Sequence, residues 1–275
     1  MEQQHDDLGS IVLPSSRASS ASIRCTIVPK NAIRSDLVWQ EEASVRWFLE
    51  SVRGAIPFAA EHLDVMLRMV ETGAPSMRRF LDIGAGDGLL SAVMLSRFPD
   101  AEAVLVDFSP PMLAAAAERL AALATEPRFI AADLASPAWL NEVHQHAPFD
   151  AIVSGFAIHH LSDERKRQLY AELLPLLAPG GAFAHIEHVS PERAWIREAF
   201  DAGMIDGMHD YARRRGDDRS RDEIAAAYMA RLDQAANTLA PLAAQCDWLR
   251  EVGFVDVAAP FRWYEIAVFG GRRPL

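Results

Sequence analysis

Cysteine is scarce in this 275-residue sequence: Cys25 and Cys246 are the only two. They are too few for a disulfide framework and are spaced for no zinc site, which predicts incidental thiols in a reducing compartment and hence a cytoplasmic protein. Lysine is almost missing. Of 27 basic residues only Lys30 and Lys166 are lysine, a bias that reads as codon use in an Arg- and Ala-rich proteome. Basic charge is also short overall. The net charge of -11 argues against a protein that grips nucleic acid by bulk charge, because neutralising phosphates takes a Lys/Arg surplus. No apolar run approaches the ~18 residues of a membrane span. Glu2, Asp6 and Asp7 stand where a signal peptide would carry basic and then apolar residues. What remains is 50% hydrophobic, enough to bury a sizeable core.

Residues 1–35 are serine-rich with few large apolar side chains and read as a flexible tail. From residue 36 onward the chain reads as one domain. Helical spacing covers 36–72 (Val45, Phe48, Leu49 and Val52, then Leu63, Met66, Leu67 and Val70), with a break near Gly54–Pro57. Short apolar strands then alternate with helices. Strands are expected at 78–83, 103–106, 128–131, 149–154 and 182–189, the last launched by Pro179-Gly180-Gly181. Residues 191–240 interrupt this rhythm as a helical insert of mixed charge, with a loop expected over Arg213–Asp218. A helix closed by Gly253 and two strands, 254–257 and 261–269, end the chain. The pattern predicts an α/β, Rossmann-like doubly wound sheet. It is mostly parallel with a C-terminal antiparallel hairpin, N-terminal helices and a helical lid.

The segment Phe80-Leu81-Asp82-Ile83-Gly84-Ala85-Gly86-Asp87-Gly88 sits at a strand-to-helix junction. Unpaired backbone N–H groups there can meet a ligand only where side chains are absent, which Gly84 and Gly86 permit. A dinucleotide site has the spacing G-x-G-x-x-G and places a pyrophosphate at the helix start. Here the spacing is G-x-G-x-G, and Asp82 and Asp87 disfavour a pyrophosphate. A cationic ligand such as S-adenosylmethionine (SAM), with its sulfonium and ammonium, fits better. Asp107, ending the second strand, is placed to accept from both ribose hydroxyls. Asp133, after the third, is placed either to accept from an adenine amine or to cap the next helix.

The series LDIGAGDG, LVDFS, AADL, FDAIVSGFAIHHL and LLAPGG, followed by WLREVGFVDV, resembles the motif order of class I SAM-dependent methyltransferases. The resemblance implies that Asp82, Gly84 and Gly86 hold the methionine moiety and Asp107 the ribose. It implies that Asp133 holds adenine, with Phe108 and Leu134 flanking the ring or simply filling core. Arg53, in Arg53-Gly-Ala-Ile-Pro57-Phe58, is similar to an arginine that binds the SAM carboxylate in carboxy-SAM synthases and related methyltransferases.

Ligands of open α/β sheets bind at the carboxyl ends of the strands. Ser154, His159 and His160 follow the fourth strand, and Glu187 and His188 follow the fifth. Ser154 is expected beside the cofactor. His159 is a candidate base, since neutral imidazole takes a proton near neutral pH, and Glu187 and His188 are further catalytic candidates. His185 and Glu187 share a strand face, so a buried polar pair is the competing account. His160, and in the insert Tyr211 and Arg231, are candidate substrate contacts, because arginine matches anions bidentately. No metal site is expected. The reading is a SAM-dependent methyltransferase that moves a methyl group to a small-molecule acceptor by in-line displacement and releases S-adenosylhomocysteine, with no membrane or nucleic-acid partner and a homodimer left open. Alternatives are a carboxy-SAM synthase-like enzyme, a tRNA or protein methyltransferase, and a non-catalytic SAM-binding module.

Overall fold

A computed structural model describes residues 34–123 and 126–275. The expected tail therefore lies, as far as residue 33, outside the described residues. Its last two positions belong to the body: Arg34 pairs with Asp36 and Asp133, and Ser35 opens a 3₁₀ turn over Ser35–Gln40.

The expected helix over 36–72 is broken into shorter pieces. After that first turn come α1 (Glu42–Trp47), a π-turn (Phe48–Val52), a 3₁₀ turn (Arg53–Ala55) and then α2 (Ala59–Gly73). The break falls where expected, at Gly54–Pro57, and Phe58 takes a left-handed conformation to restart the chain. Alternation follows: β1 (Arg79–Ile83), α3 (Leu89–Arg97), β2 (Glu102–Asp107), α4 (Pro110–Leu120) and β3 (Arg128–Ala131). Ser109 caps α4 by accepting from the Met112 N–H, with prolines in the first turn where their missing N–H costs nothing. Then come α5 (Leu140–Val143), β4 (Phe149–Gly155), α6 (Asp163–Leu176) and β5 (Leu177–His188). Pro179-Gly180-Gly181 is part of β5 rather than a turn before it, because Leu177 already pairs with Phe149 across an irregular register.

The insert holds α7 (Ala194–Arg214), α8 (Arg221–Met229) and a 3₁₀ turn (Leu232–Ala236). The loop is shorter than expected, since Arg213 and Arg214 complete α7. Next, α9 (Leu242–Val252) ends at left-handed Gly253. The terminal hairpin is β6 (Val255–Trp263) with β7 (Ile266–Arg272). Its turn falls at Tyr264-Glu265, inside what the pattern assigned to the second strand.

The strand order is β3-β2-β1-β4-β5-β7-β6, with β7 antiparallel to β5 and β6. Side chains of successive strand residues enter opposite cores. Phe80, Leu105 and Val153 pack on one face with Met66 and Met94, while Leu81, Val104 and Ile152 pack on the other with Trp139 and Tyr170. This is the doubly wound architecture the alternation predicts. Strand order reverses between β1 and its neighbours β2 and β4, so a crevice opens at the carboxyl ends of these strands. The insert roofs it: Gly207 of α7 lies where a Cβ would meet the Ala55 carbonyl at 2.6 Å, and Gly54 packs against the Tyr211 ring.

Candidate active site

The crevice is a cavity of about 220 Å³, and the glycine turn forms one wall. Gly84, Gly86 and Gly88 all have positive φ, of 63°, 54° and 73°. They differ in what an added Cβ would meet. At Gly84 it would lie 2.1 Å from the Ala157 Cβ, so that glycine serves packing. At Gly86 the nearest atom is the Met112 Sδ at 4.0 Å, so its open side belongs to the cavity. At Gly88 it would lie 3.1 Å from the Ala116 Cβ, so this glycine lets the turn pack against α4.

Asp107 holds this turn in shape. Its two carboxylate oxygens accept from the Gly86 and Ser109 N–H groups, each at 2.8 Å. Burial pushes its carboxyl up to about 6 despite those bonds. Asp82 does not line the cavity. Its Oδ2 accepts from the Ser91 hydroxyl at 2.7 Å while Oδ1 is buried with no partner, and burial pushes the group up to about 7. Arg53 lines the cavity and donates to Asp87 at 2.8 Å, leaving its Nε buried without a partner.

At the far side, Asp133 accepts from the Ala135 N–H at 2.9 Å, a local turn bond; it does not cap the next helical turn, which Ser136 caps. It also accepts from both terminal nitrogens of Arg34, whose guanidinium lies 5.7 Å over the Phe108 ring. Leu134 lines the same wall. Arg34 was not singled out in the sequence, because a lone arginine at the edge of a serine-rich tail carries no signal.

The opposite wall is a cluster of histidines. His159 Nδ1 lies 2.5 Å from Glu187 Oε1, and Glu187 Oε2 accepts from the His159 N–H and pairs with His185 Nε2, both at 2.9 Å. The His188 N–H donates to Glu187 Oε1 at 2.6 Å. Burial would raise the Glu187 carboxyl, but the adjacent His159 and His185 outweigh it and hold the group well below the usual carboxylate range. Glu187 is itself shut off from the cavity and reaches it through His159. His188 lines the cavity and pairs with Glu265 at 3.0 Å, and Glu265 also pairs with Arg197 at 3.0 Å. His160 lines the cavity with its Nδ1 against the Ala236 carbonyl at 3.2 Å, and burial pulls it down to about 3, so it is neutral.

Two further expectations are corrected in placement. The Ser154 hydroxyl is buried and donates to the Ile83 carbonyl at 2.8 Å, tying β4 to β1 rather than facing a ligand. Tyr211 lies away from the main cavity, beside Gly54 and a separate small groove, and its hydroxyl accepts from Arg215 at 3.0 Å. Arg231 does line the cavity. Sequence reasoning also missed His62, buried in the cavity wall with both ring nitrogens unpartnered and pulled by burial to about 4. On α2 it looks like any core-facing position.

Residues 80–181 match the family model described as a methyltransferase domain. Over this stretch the chain resembles methyltransferases. A demethylmenaquinone methyltransferase from Thermus thermophilus is 37% identical over 117 residues, which are 42% of this chain and 50% of that protein. A carboxy-S-adenosyl-L-methionine synthase from Nautilia profundicola is 22% identical over 84% of this chain and 91% of its own. The chain thus spans only about half the length of the Thermus relative. PigF, solved with SAH, superposes with a TM-score of 0.56 at 17% identity, covering 90% of this chain and 64% of that one; this likeness is one of fold.

The similarity to methyltransferase domains implies SAM as cofactor, and the residues present fit it. The unpartnered Arg53 Nε, in the cavity wall, suits a carboxylate, and the open side of Gly86 leaves room for a ligand against the turn. Among the described residues no group of three or more His, Cys, Asp or Glu is arranged to hold a metal, and no helix is long and apolar enough to cross a membrane.

Proposed function

We propose that the protein is a SAM-dependent methyltransferase acting on a small protic acceptor held in the cavity, with His159 as the base. The observation that carries this reading is that the buried His159–Glu187 pair opens on the same cavity as the Gly86 turn and Asp107. When bound, the sulfonium cofactor supplies a methyl carbon attached to a neutral leaving group, so no acid is needed to expel it.

The chain's own work is then to bind, orient and remove a proton. Arg53, Gly86, Asp107 and Asp133 would hold the cofactor. Glu187, kept ionised, accepts from His159 Nδ1 and so leaves Nε2 as the ring nitrogen available to the acceptor. Nε2 takes the acceptor's proton as its oxygen or nitrogen is alkylated. Trp39 and Phe48 from the N-terminal segments, with Phe200 and Met204 from the insert, help to exclude water. A roofed cavity of about 220 Å³ supports a small molecule over a macromolecular acceptor, and the low cysteine content keeps a cytoplasmic setting within the proposal. Incubating the protein and a metabolite extract with methyl-labelled SAM, followed by mass identification of labelled products, tests the reading. An absence of labelled product together with an absence of S-adenosylhomocysteine binding would overturn it.

The near full-length alignment with the Nautilia protein favours one second reading, an enzyme that modifies SAM itself. An adenosyl compound of carboxy-SAM mass released from the purified protein would select that reading.

A further inference from the structure

Three arginines line the cavity. Arg34 is bonded to Asp36 and Asp133, and Arg53 to Asp87. Arg231 differs. Among the described residues it makes no hydrogen bond to a carboxylate. Its Nη1 donates to the Tyr228 carbonyl at 2.6 Å, and its guanidinium stacks 3.7 Å from the Tyr228 ring centre. The nearest acid is Asp233, with Oδ2 at 3.7 Å from Nε, beyond hydrogen-bond reach. Burial raises the Asp233 carboxyl, and Arg231 pulls it the other way. Yet the Arg231 side chain is only 7% exposed. A buried guanidinium lacking a hydrogen-bonded anion carries a desolvation cost that a bound anion would offset.

Its position relative to the base is fixed by the roof. The Thr238 N–H donates to the His159 carbonyl at 2.7 Å, and His160 Nδ1 meets the Ala236 carbonyl at 3.2 Å. The segment from Arg231 to Thr238 is thereby stitched to the turn that carries His159. The intervening 3₁₀ turn, at about 2 Å per residue, sets Arg231 about 10 Å along the backbone from that stitch. Asn237, on the same segment, also lines the cavity and has its Oδ1 buried without a partner. Arg231 and His159 line the same cavity, so one bound molecule can reach both.

We propose that Arg231 is the anion anchor of the acceptor site, and that the acceptor is a hydroxylated carboxylic acid: its carboxylate binds Arg231, its apolar body lies among Phe156, Phe200 and Tyr228, and its hydroxyl faces His159. This rests on the methyltransferase reading above. A carboxylate matches the planar fork of one guanidinium. A phosphate dianion would meet only that one cation with Asp233 beside it.

The test is calorimetric titration of the protein, saturated with S-adenosylhomocysteine, with 2-, 3- and 4-hydroxybenzoate and with the three matching hydroxybenzamides. At least one acid should bind about tenfold or more tightly than its amide, the scale of a charge-assisted hydrogen bond. Arg231→Gln should level the pair, and Arg231→Lys should keep part of the difference. S-adenosylhomocysteine affinity should be unchanged in both variants. Equal binding of acid and amide, binding of no acid, or a preference that survives in Arg231→Gln overturns the proposal. So does a loss of S-adenosylhomocysteine affinity in both variants, which would put the arginine on the cofactor's own carboxylate. If the wild-type protein binds no S-adenosylhomocysteine, the methyltransferase reading fails instead, and the acid–amide comparison on ligand-free protein still decides the role of Arg231.

Discussion

Glu187 Oε1 and His159 Nδ1 lie 2.5 Å apart, with both side chains buried, and the same carboxylate collects the His159 and His188 N–H groups and His185 Nε2. One strand residue therefore fixes the position and tautomer of a histidine 28 residues earlier. If His159 is the base, His159→Asn should lower kcat by about 10²–10⁴-fold and leave S-adenosylhomocysteine affinity unchanged by calorimetry. Glu187→Gln should act on kcat as well, because Glu187 positions the ring without touching substrate. It should also destabilise the fold by about 3–5 kcal/mol, since an amide N–H would then face donors in place of an acceptor. A Glu187→Gln protein that melts with the wild type and keeps its kcat would remove the dyad from the mechanism.

Gly84 and Gly86, two residues apart on the same turn, should fail differently when changed to alanine. Gly84→Ala drives a Cβ to 2.1 Å from Ala157, against packed backbone, so poor folding is expected. Gly86→Ala meets nothing closer than 4.0 Å. Its cost is the positive φ, about 1 kcal/mol, and the folded protein should persist. Its new methyl group would stand at the cavity wall, so S-adenosylhomocysteine binding should drop by at least tenfold. Thermal melts beside calorimetry separate the two, and a Gly86→Ala protein with wild-type affinity would place the cofactor elsewhere.

Arg34 donates to Asp133 and lies over Phe108, the two side chains that the family resemblance assigns to adenine. An arginine and an adenine amine there compete for one acceptor. Arg34 and Asp133 are each about a third exposed, at 37%, so their pair is worth at most about 1 kcal/mol. Arg34→Ala is therefore expected to tighten S-adenosylhomocysteine binding, by no more than about fivefold. A weakening would instead make Arg34 part of the adenine contact.

Much of this architecture was legible. Strands such as Val104–Val106 and Ala151–Val153 are continuous apolar runs because parallel strands are covered on both faces. The carboxylates Asp82 within β1 and Asp107 at the end of β2 could be found because they stand out against apolar neighbours. Less legible was anything decided by tertiary pairing. Tyr264-Glu265 looks like continued alternation, yet it turns the final hairpin, and Glu265 is buried because His188 and Arg197 reach it from elsewhere. Glu187 was visible as a candidate, but its four donors come from three sequence positions that only the fold assembles. Tyr211 was misplaced for a similar reason. Its helical face follows from how Gly54 packs under it, and nothing local to Tyr211 encodes that.

The carboxylates at the glycine turn also predict a pH dependence. In the ligand-free fold, burial pushes Asp82 to about 7 and Asp107 to about 6, against an ordinary 3.8. Between about pH 4 and 7 the folded state then holds more protons than the unfolded chain at these two sites, so their contribution to stability falls as pH rises. His62 and His160 act in the opposite sense. Burial pulls them to about 4 and about 3 from 6.5, so stability is lost as pH falls below 6.5 and through these values. The overall melting curve mixes both signs, whereas the shift produced by ligand isolates the carboxylates. Ribose hydroxyls favour ionised Asp107 in the cavity wall, and a ligand ammonium nearby favours ionised Asp82 behind it through space, so binding should expel protons. S-adenosylhomocysteine affinity is expected to rise about tenfold from pH 5.5 to 7.5, with a larger thermal shift at the higher pH. Asp107→Asn should weaken binding and flatten part of this dependence. Affinity that is constant across the range in the wild-type protein would mean that neither carboxylate meets the ligand.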